Sequence, residues 1–132
     1  MRKYPFMQVD AFTSIPLGGN PCAVFFNTDD LDDETMLAIT REMNLSESSF
    51  VRSSTIAHFG VRYFTPMGEI PLAGHPTIAT TYALVDSDRL KLSGDITKIQ
   101  LELQVGPIDI EIQAESGLVQ NIIMSQKKPQ FL

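Results

Sequence analysis

The sequence predicts an α+β domain, a mostly antiparallel sheet built from hairpins around one interior helix. Three observations carry this. The patterns run strands, helix, strands, helix, strands, which argues against a regularly alternating βαβ fold. In the last third, Ile99, Leu101, Leu103 and Val105, then Ile108, Ile110 and Ile112, alternate with other residues at a period of two. Residues 77–85, Thr-Ile-Ala-Thr-Thr-Tyr-Ala-Leu-Val, carry no charge on any face and hold four β-branched residues in their first five. A helix of such poor intrinsic propensity forms only if tertiary packing holds it, so it is expected in the interior with sheet around it.

The other elements follow in order. Residues 4–12 and 22–26 are apolar and β-prone, and Ser14-Ile15-Pro16-Leu17-Gly18-Gly19-Asn20-Pro21 between them is turn chemistry. From Asp32 the period changes: Met36, Ile39 and Met43 fall at i, i+3 and i+7, with Asp32 as N-cap and Asp33 and Glu34 suited to the helix dipole. Asn44 ends that helix. Strand character returns over 49–52 and 56–65, and Pro66 and Gly68 break it. Pro76 suits the first position of the second helix, which runs to about Asp86. Turns are expected at Gly106-Pro107 and Ser116-Gly117, before a last strand over 118–124. Residues 1–125 thus make one folded lobe, and 126–132 read as the start of a linker.

Composition bounds the function classes. The 132 residues suffice to bury roughly two thirds of the unfolded surface in one core. Ten Lys and Arg against sixteen Asp and Glu give a net charge of −6, and no basic cluster exceeds two residues, which argues against nucleic-acid binding. Five of the acids lie in residues 29–34, read as a solvated helix start. One cysteine, Cys22, makes neither an internal disulfide nor a thiolate zinc cluster. No apolar run approaches the roughly 18 residues of a membrane helix, and Asp10 interrupts any signal core. The expectation is a soluble cytoplasmic protein with no membrane partner. Two distant histidines make no metal site, and Gly18-Gly19-Asn20-Pro21 lacks the lysine of a phosphate loop.

Two positions invite chemistry. Gly74 and His75 immediately precede the proline-started helix, where first-turn amides and an imidazole converge on an anion site; a helix cap or a buried hydrogen-bonded histidine accounts for His75 equally simply. Glu47, between two serines in a short loop from helix to strand, is placed as a general acid/base at a cleft edge or as an ordinary loop carboxylate. Glu69 has the same ambiguity and reads as structural. His58, mid-strand and opposite the apolar parity, is expected to face solvent or to be hydrogen-bonded, and Cys22 to be a small buried strand residue.

Together Val9-Asp10-Ala11-Phe12-Thr13, Gly19-Asn20-Pro21-Cys22-Ala23-Val24, Glu42-Met43-Asn44-Leu45-Ser46-Glu47-Ser48, Phe64-Thr65-Pro66 and Glu69-Ile70-Pro71-Leu72-Ala73-Gly74-His75-Pro76-Thr77 resemble the PhzF-like (phenazine biosynthesis) isomerases of the diaminopimelate-epimerase-like superfamily. The resemblance covers nearly the whole chain. It implies a strongly bent sheet or barrel around a central helix, repeated in two lobes with the active site between them. It also implies isomerisation of a small carboxylate substrate, as with a dihydro-hydroxyanthranilate, without metal or organic cofactor. Glu47 is then the catalytic proton shuttle, and His75, Gly74, Asn20 and Gly19 bind substrate. Two-thiol epimerisation is not implied, because the first thiol would fall at Ala73. Members are roughly double this length, so a second lobe is expected from another chain or from a homodimer. The alternative is a non-catalytic binding or structural module, or an inactive truncated fragment.

Overall fold

The computed structural model describes residues 4–11, 20–71 and 73–125. Gly19 and the expected linker at 126–132 lie outside them. In chain order the elements are β1 (Phe6–Ala11), β2 (Asn20–Phe25), α1 (Asp33–Met43), β3 (Glu47–Arg52), β4 (Phe59–Thr65), β5 (Gly68–Ile70), α2 (Gly74–Asp86), β6 (Ile96–Leu103), β7 (Gly106–Glu115) and β8 (Leu118–Met124). One sheet has the order β1-β2-β3-β4-β6-β7-β8, with β5 added beside β4. The pairs β2/β3 and β4/β6 are parallel and the other five antiparallel. Each parallel pair has a helix in its connection, because parallel neighbours need a long crossover where antiparallel ones need only a hairpin.

Side-chain parity assigns each helix a face. Cys22, Val24, Val51, Val61 and Tyr63 join Ala79, Ala83 and Leu84 of α2 in one core; Ala23, Phe25, Phe50 and Phe64 join Met36 of α1 in another. Strands β2 to β4 are therefore covered on both sides, which is why β3 is buried at four consecutive positions. Strands β6 and β7 alternate buried and exposed, with one face inward. Helix α2 touches β1, β2 and β3 as well as β8, from opposite ends of the strand order, so the sheet curves around it. The expected interior helix is borne out. Of the expected "sheet or barrel", the sheet is curved and does not close.

On the α1 face an aromatic ladder crosses four strands: Phe6 stacks on Phe25 (5.4 Å), Phe25 on Phe50 (5.1 Å), and Phe64 meets Phe50 edge-on (5.6 Å). Helix α1 has the expected ends. Asp32 accepts from the Thr35 amide at 2.8 Å, and Asn44 adopts the left-handed conformation as C-cap.

Several boundaries differ from expectation. The strand expected from 56 begins at Phe59, because the Ser54 hydroxyl accepts the amides of Ile56 and Ala57 and bends 55–58, His58 included. Beyond Pro66 and Met67 the chain pairs back as β5 instead of simply breaking, with Gly68 at φ 137° where the hairpin re-enters the sheet. The turn expected at Gly106-Pro107 is displaced to Gln104 and Val105, and that at Ser116-Gly117 is as expected, both residues at positive φ. Among the described residues no helix is long and apolar enough to cross a membrane.

Leu84 is fully buried against the sheet, so Leu84→Ala should cost roughly 2–5 kcal/mol in urea unfolding. Three carboxyls lie below the ordinary value: Asp29 through the Ser53 hydroxyl and then its amide, Asp32 through Thr35, and Asp33 through hydrogen bonding to Arg62 and then its charge. Their lowered folded values favour the folded chain above the ordinary carboxylate range, and that contribution disappears as pH falls through it. The urea midpoint should therefore drop below about pH 4, and Asp29→Asn should flatten this acid limb.

Candidate active site

Glu47 is the first residue of β3, not a loop residue as the sequence suggests. It is drawn into the sheet because Cys22 of β2 pairs with it in the parallel ladder. Parity puts Glu47 on the same face as Ser49 and Val51, toward α2. Its Oε2 is buried and has no hydrogen-bond partner among the described residues. Three neighbours on this face are polar. Ser49 Oγ meets Thr80 Oγ1 at 2.6 Å, Tyr63 Oη meets Thr77 Oγ1 at 2.6 Å, and Cys22 faces Glu47 across the ladder.

These bonds also fix how α2 lies on the sheet. Ser49 of β3 meets Thr80, and the cleft by Val51 and Arg52 at the far end of β3 is also lined by Arg89, beyond the end of α2. Strand and helix therefore run in the same sense. Two residues back from Ser49 is about 6.6 Å of strand and reaches Glu47; five residues back from Thr80 is about 7.5 Å of helix and reaches His75. The structure thus brings Glu47 and His75 to the same end of the α2–sheet core.

The helix begins at Gly74, two residues earlier than Pro76 suggests, with Ala73 as an N-cap that makes no side-chain bond. Gly74 and His75 are therefore its first two residues, not its approach, and Pro76 still lies in the first turn, where a missing N–H costs no helix bond. His75 is half-buried and Gly74 exposed. A Cβ on Gly74 would meet only Met124 Sδ, at 3.9 Å, so the bare helix end is not demanded by crowding. With no acid in its first turn, this end keeps the partial positive charge of the helix dipole. The backbone of Asn20 opens β2 opposite Ala11, two residues before Cys22.

Cys22 is wholly buried, as expected, and its thiol is pushed up to about 12, first by burial and then by the charge of Glu47. Burial likewise holds the Tyr63 phenol well above its ordinary range, with smaller contributions from Cys22 and Glu47. Both stay protonated beside the carboxylate at any ordinary pH. Glu69 is committed to Arg62 by a two-pronged ion pair of 2.8 and 2.7 Å, which settles its ambiguity as structural. His58 is exposed, and its Nδ1 accepts from the Gln100 amide at 3.0 Å. A cleft of about 470 Å³ lined by Arg52, Arg62, Glu69 and Glu102 lies at the opposite end of β3 from Glu47. Among the described residues no three His, Cys, Asp or Glu side chains gather so as to hold a metal ion.

Sequence reasoning missed the hydroxyl set of Ser49, Tyr63, Thr77 and Thr80. The signal was present, since Thr77 and Thr80 stand three apart in a stretch otherwise without polar need, but it was read only as low helix propensity. The burial of Cys22 is open to direct measurement. The folded chain should resist thiol alkylation at about pH 8 and react rapidly once unfolded in urea; fast labelling of the folded chain would contradict this burial.

Comparison with known proteins places the whole chain. A profile of the phenazine biosynthesis-like protein family (PhzC-PhzF) matches residues 9–132. A trans-2,3-dihydro-3-hydroxyanthranilate isomerase of Pseudomonas fluorescens is 42% identical over 125 residues, covering 94% of this chain and 43% of that protein. A crystal structure of a phenazine biosynthesis protein of the PhzF family from Bacillus anthracis superposes with a TM-score of 0.77 at 34% identity, over 87% of this chain and 38% of that one. The fold, without close sequence kinship, recurs in a hydroxyproline epimerase of Agrobacterium vitis, with a TM-score of 0.66 at 15% identity over 80% of this chain and 38% of that one. The chain spans less than half the length of the curated relatives it matches. Matched over most of its residues in both sequence and fold, it belongs to the phenazine biosynthesis-like, PhzF family.

Proposed function

We propose that this chain supplies one lobe of a cofactor-independent isomerase that moves a proton on a small carboxylate substrate, with Glu47 as the proton-carrying group. The observation that carries this reading is the buried, unpartnered Oε2 of Glu47 at the end of the core where α2 begins. A general base needs an uncommitted lone pair held in a dry place, and a helix N-terminus beside it suits the carboxylate of a substrate. His75 and Gly74 orient that carboxylate, aided by Asn20, whose backbone opens β2 two residues before Cys22, and by Gly19, which lies outside the described residues. The kinship to proteins named as isomerases supports the class of reaction, and the named substrate of the Pseudomonas fluorescens relative supports a cyclic dihydro acid.

A second wall completes the cleft. It comes from a further lobe, in this polypeptide or another, or from a second copy of this one, since orientation from both sides is what makes proton transfer efficient. Residues 1–125 form the lobe and 126–132 the connection that leaves it. The compartment we propose for this reaction is the cytoplasm.

The chain, alone and with a second lobe supplied, should be incubated with trans-2,3-dihydro-3-hydroxyanthranilate in deuterated water, following carbon-bound deuterium. Incorporation should occur, fall about a hundredfold or more in Glu47→Gln, and weaken mainly through KM in His75→Asn. Incorporation unchanged in Glu47→Gln would remove the carboxylate from the mechanism. Light scattering on the same samples decides between a dimeric cleft and one closed by another lobe.

A further inference from the structure

The hydroxyls behind Glu47 have only one consistent arrangement of protons. Thr77 Oγ1 donates to the Ala73 carbonyl at 2.7 Å, so the 2.6 Å contact with Tyr63 must be a bond in which the phenol donates and Thr77 accepts. In the same way Thr80 Oγ1 donates to the Pro76 carbonyl at 2.6 Å, so Ser49 donates to Thr80. Each strand hydroxyl therefore gives its proton to a helix threonine, which donates in turn to a backbone carbonyl, and not to Glu47.

The alternative acceptor is close. Tyr63 pairs with Ser49 in the β3/β4 ladder, and Glu47 is the next residue along β3 on that face. Such diagonal neighbours stand roughly 7–8 Å apart, within reach of two long side chains. Glu47 Oε2 is buried without a partner, and a charged acceptor binds a phenol proton about twice as strongly as a neutral hydroxyl does. Among the described side chains, the other titratable groups at this end are the Cys22 thiol on β2 and His75 in the first turn of α2. Thr77 is the nearer acceptor of the Tyr63 proton, at 2.6 Å, and Thr80, which also takes the Ser49 proton, is its lesser partner.

We infer that Thr77 is a positioning residue of the Glu47 site: by taking the Tyr63 proton and passing its own to Ala73, it keeps the carboxylate oxygen uncommitted. This rests on the reading of Glu47 as proton carrier. A phenol bonded to that oxygen would occupy the lone pair the substrate proton needs.

Three variants test it: Thr77→Val, Thr77→Ser and the double variant Thr77→Val with Tyr63→Phe. Two quantities are read: the Glu47 carboxyl 13C resonance at neutral pH, which moves when a donor engages it, and deuterium incorporation. Thr77→Val should move the resonance and lower kcat roughly tenfold or more with KM nearly unchanged. Thr77→Ser, which keeps the hydroxyl, should match the parent in both. The double variant should also return toward the parent, since no phenol proton is left to misdirect. An unmoved resonance in Thr77→Val, or a double variant as impaired as the single one, would show that Thr77 serves packing alone and overturn the inference. If the parent incorporates no deuterium, the proton-shuttle reading fails while the resonance still tests Thr77. Should Thr77→Val not fold, the parent decides the matter: its buried Tyr63 hydroxyl proton should exchange slowly and show a nuclear Overhauser contact to the Thr77 methyl, and contact to the Glu47 methylenes instead would overturn the assignment.

Discussion

Residues 77–85 have no charge to offer water and too many β-branched side chains to hold a helix alone, so α2 forms only where a sheet encloses it. That requirement shapes the rest. To bury Thr77, Ala79, Thr80, Thr81, Ala83 and Leu84 together, the sheet must curve until β1 to β3 and β8 all touch the helix. Three buried threonines would be costly in a dry core if their hydroxyls were unpaired. Each bonds back to the carbonyl four residues earlier, Thr77 to Ala73, Thr80 to Pro76 and Thr81 to Thr77, at 2.6 to 2.8 Å.

The other helix, α1, buries the opposite face at the centre of the sheet. Helix α1 covers the outer face of β3 and β4. The aromatic ladder of Phe6, Phe25, Phe50 and Phe64 fills this side, and Arg62 closes it by pairing with Glu69 and Asp33 while its guanidinium lies 5.5 Å over the Phe64 ring. Strand β3 is thus gripped from both faces. Its first residue, Glu47, adjoins these buried positions while its carboxylate stays at the end of the core. Such a setting suits the role proposed for Glu47, because misplacement of a reacting group by an ångström lowers rates steeply.

Legibility in the sequence followed the range of the interaction concerned. Helix α1 was readable from end to end because its N-cap, dipole acids and αL stop act within a few residues of one another. The β7–β8 hairpin was readable for the same reason. Strand β5 was not, because three residues without a pattern become a strand only when the edge of β4 is available to pair with them. The start of α2 was misplaced because proline was taken as its first residue, whereas the structure accommodates it two positions later in the same turn. Motif text singles out Glu47, His75 and Gly74, but neither their neighbours nor their burial.

By itself, then, the sequence determined the interior helix, the amphipathic outer helix and the mostly antiparallel sheet, because local periodicity and capping are properties of neighbouring residues. Only the tertiary structure decided that Glu47 begins a strand, that Cys22 faces it, and that Tyr63 and Thr77 meet fourteen residues apart behind it. Those contacts arise from strand register and the seating of α2, which are set when separate elements pack and leave no period in the chain to be read.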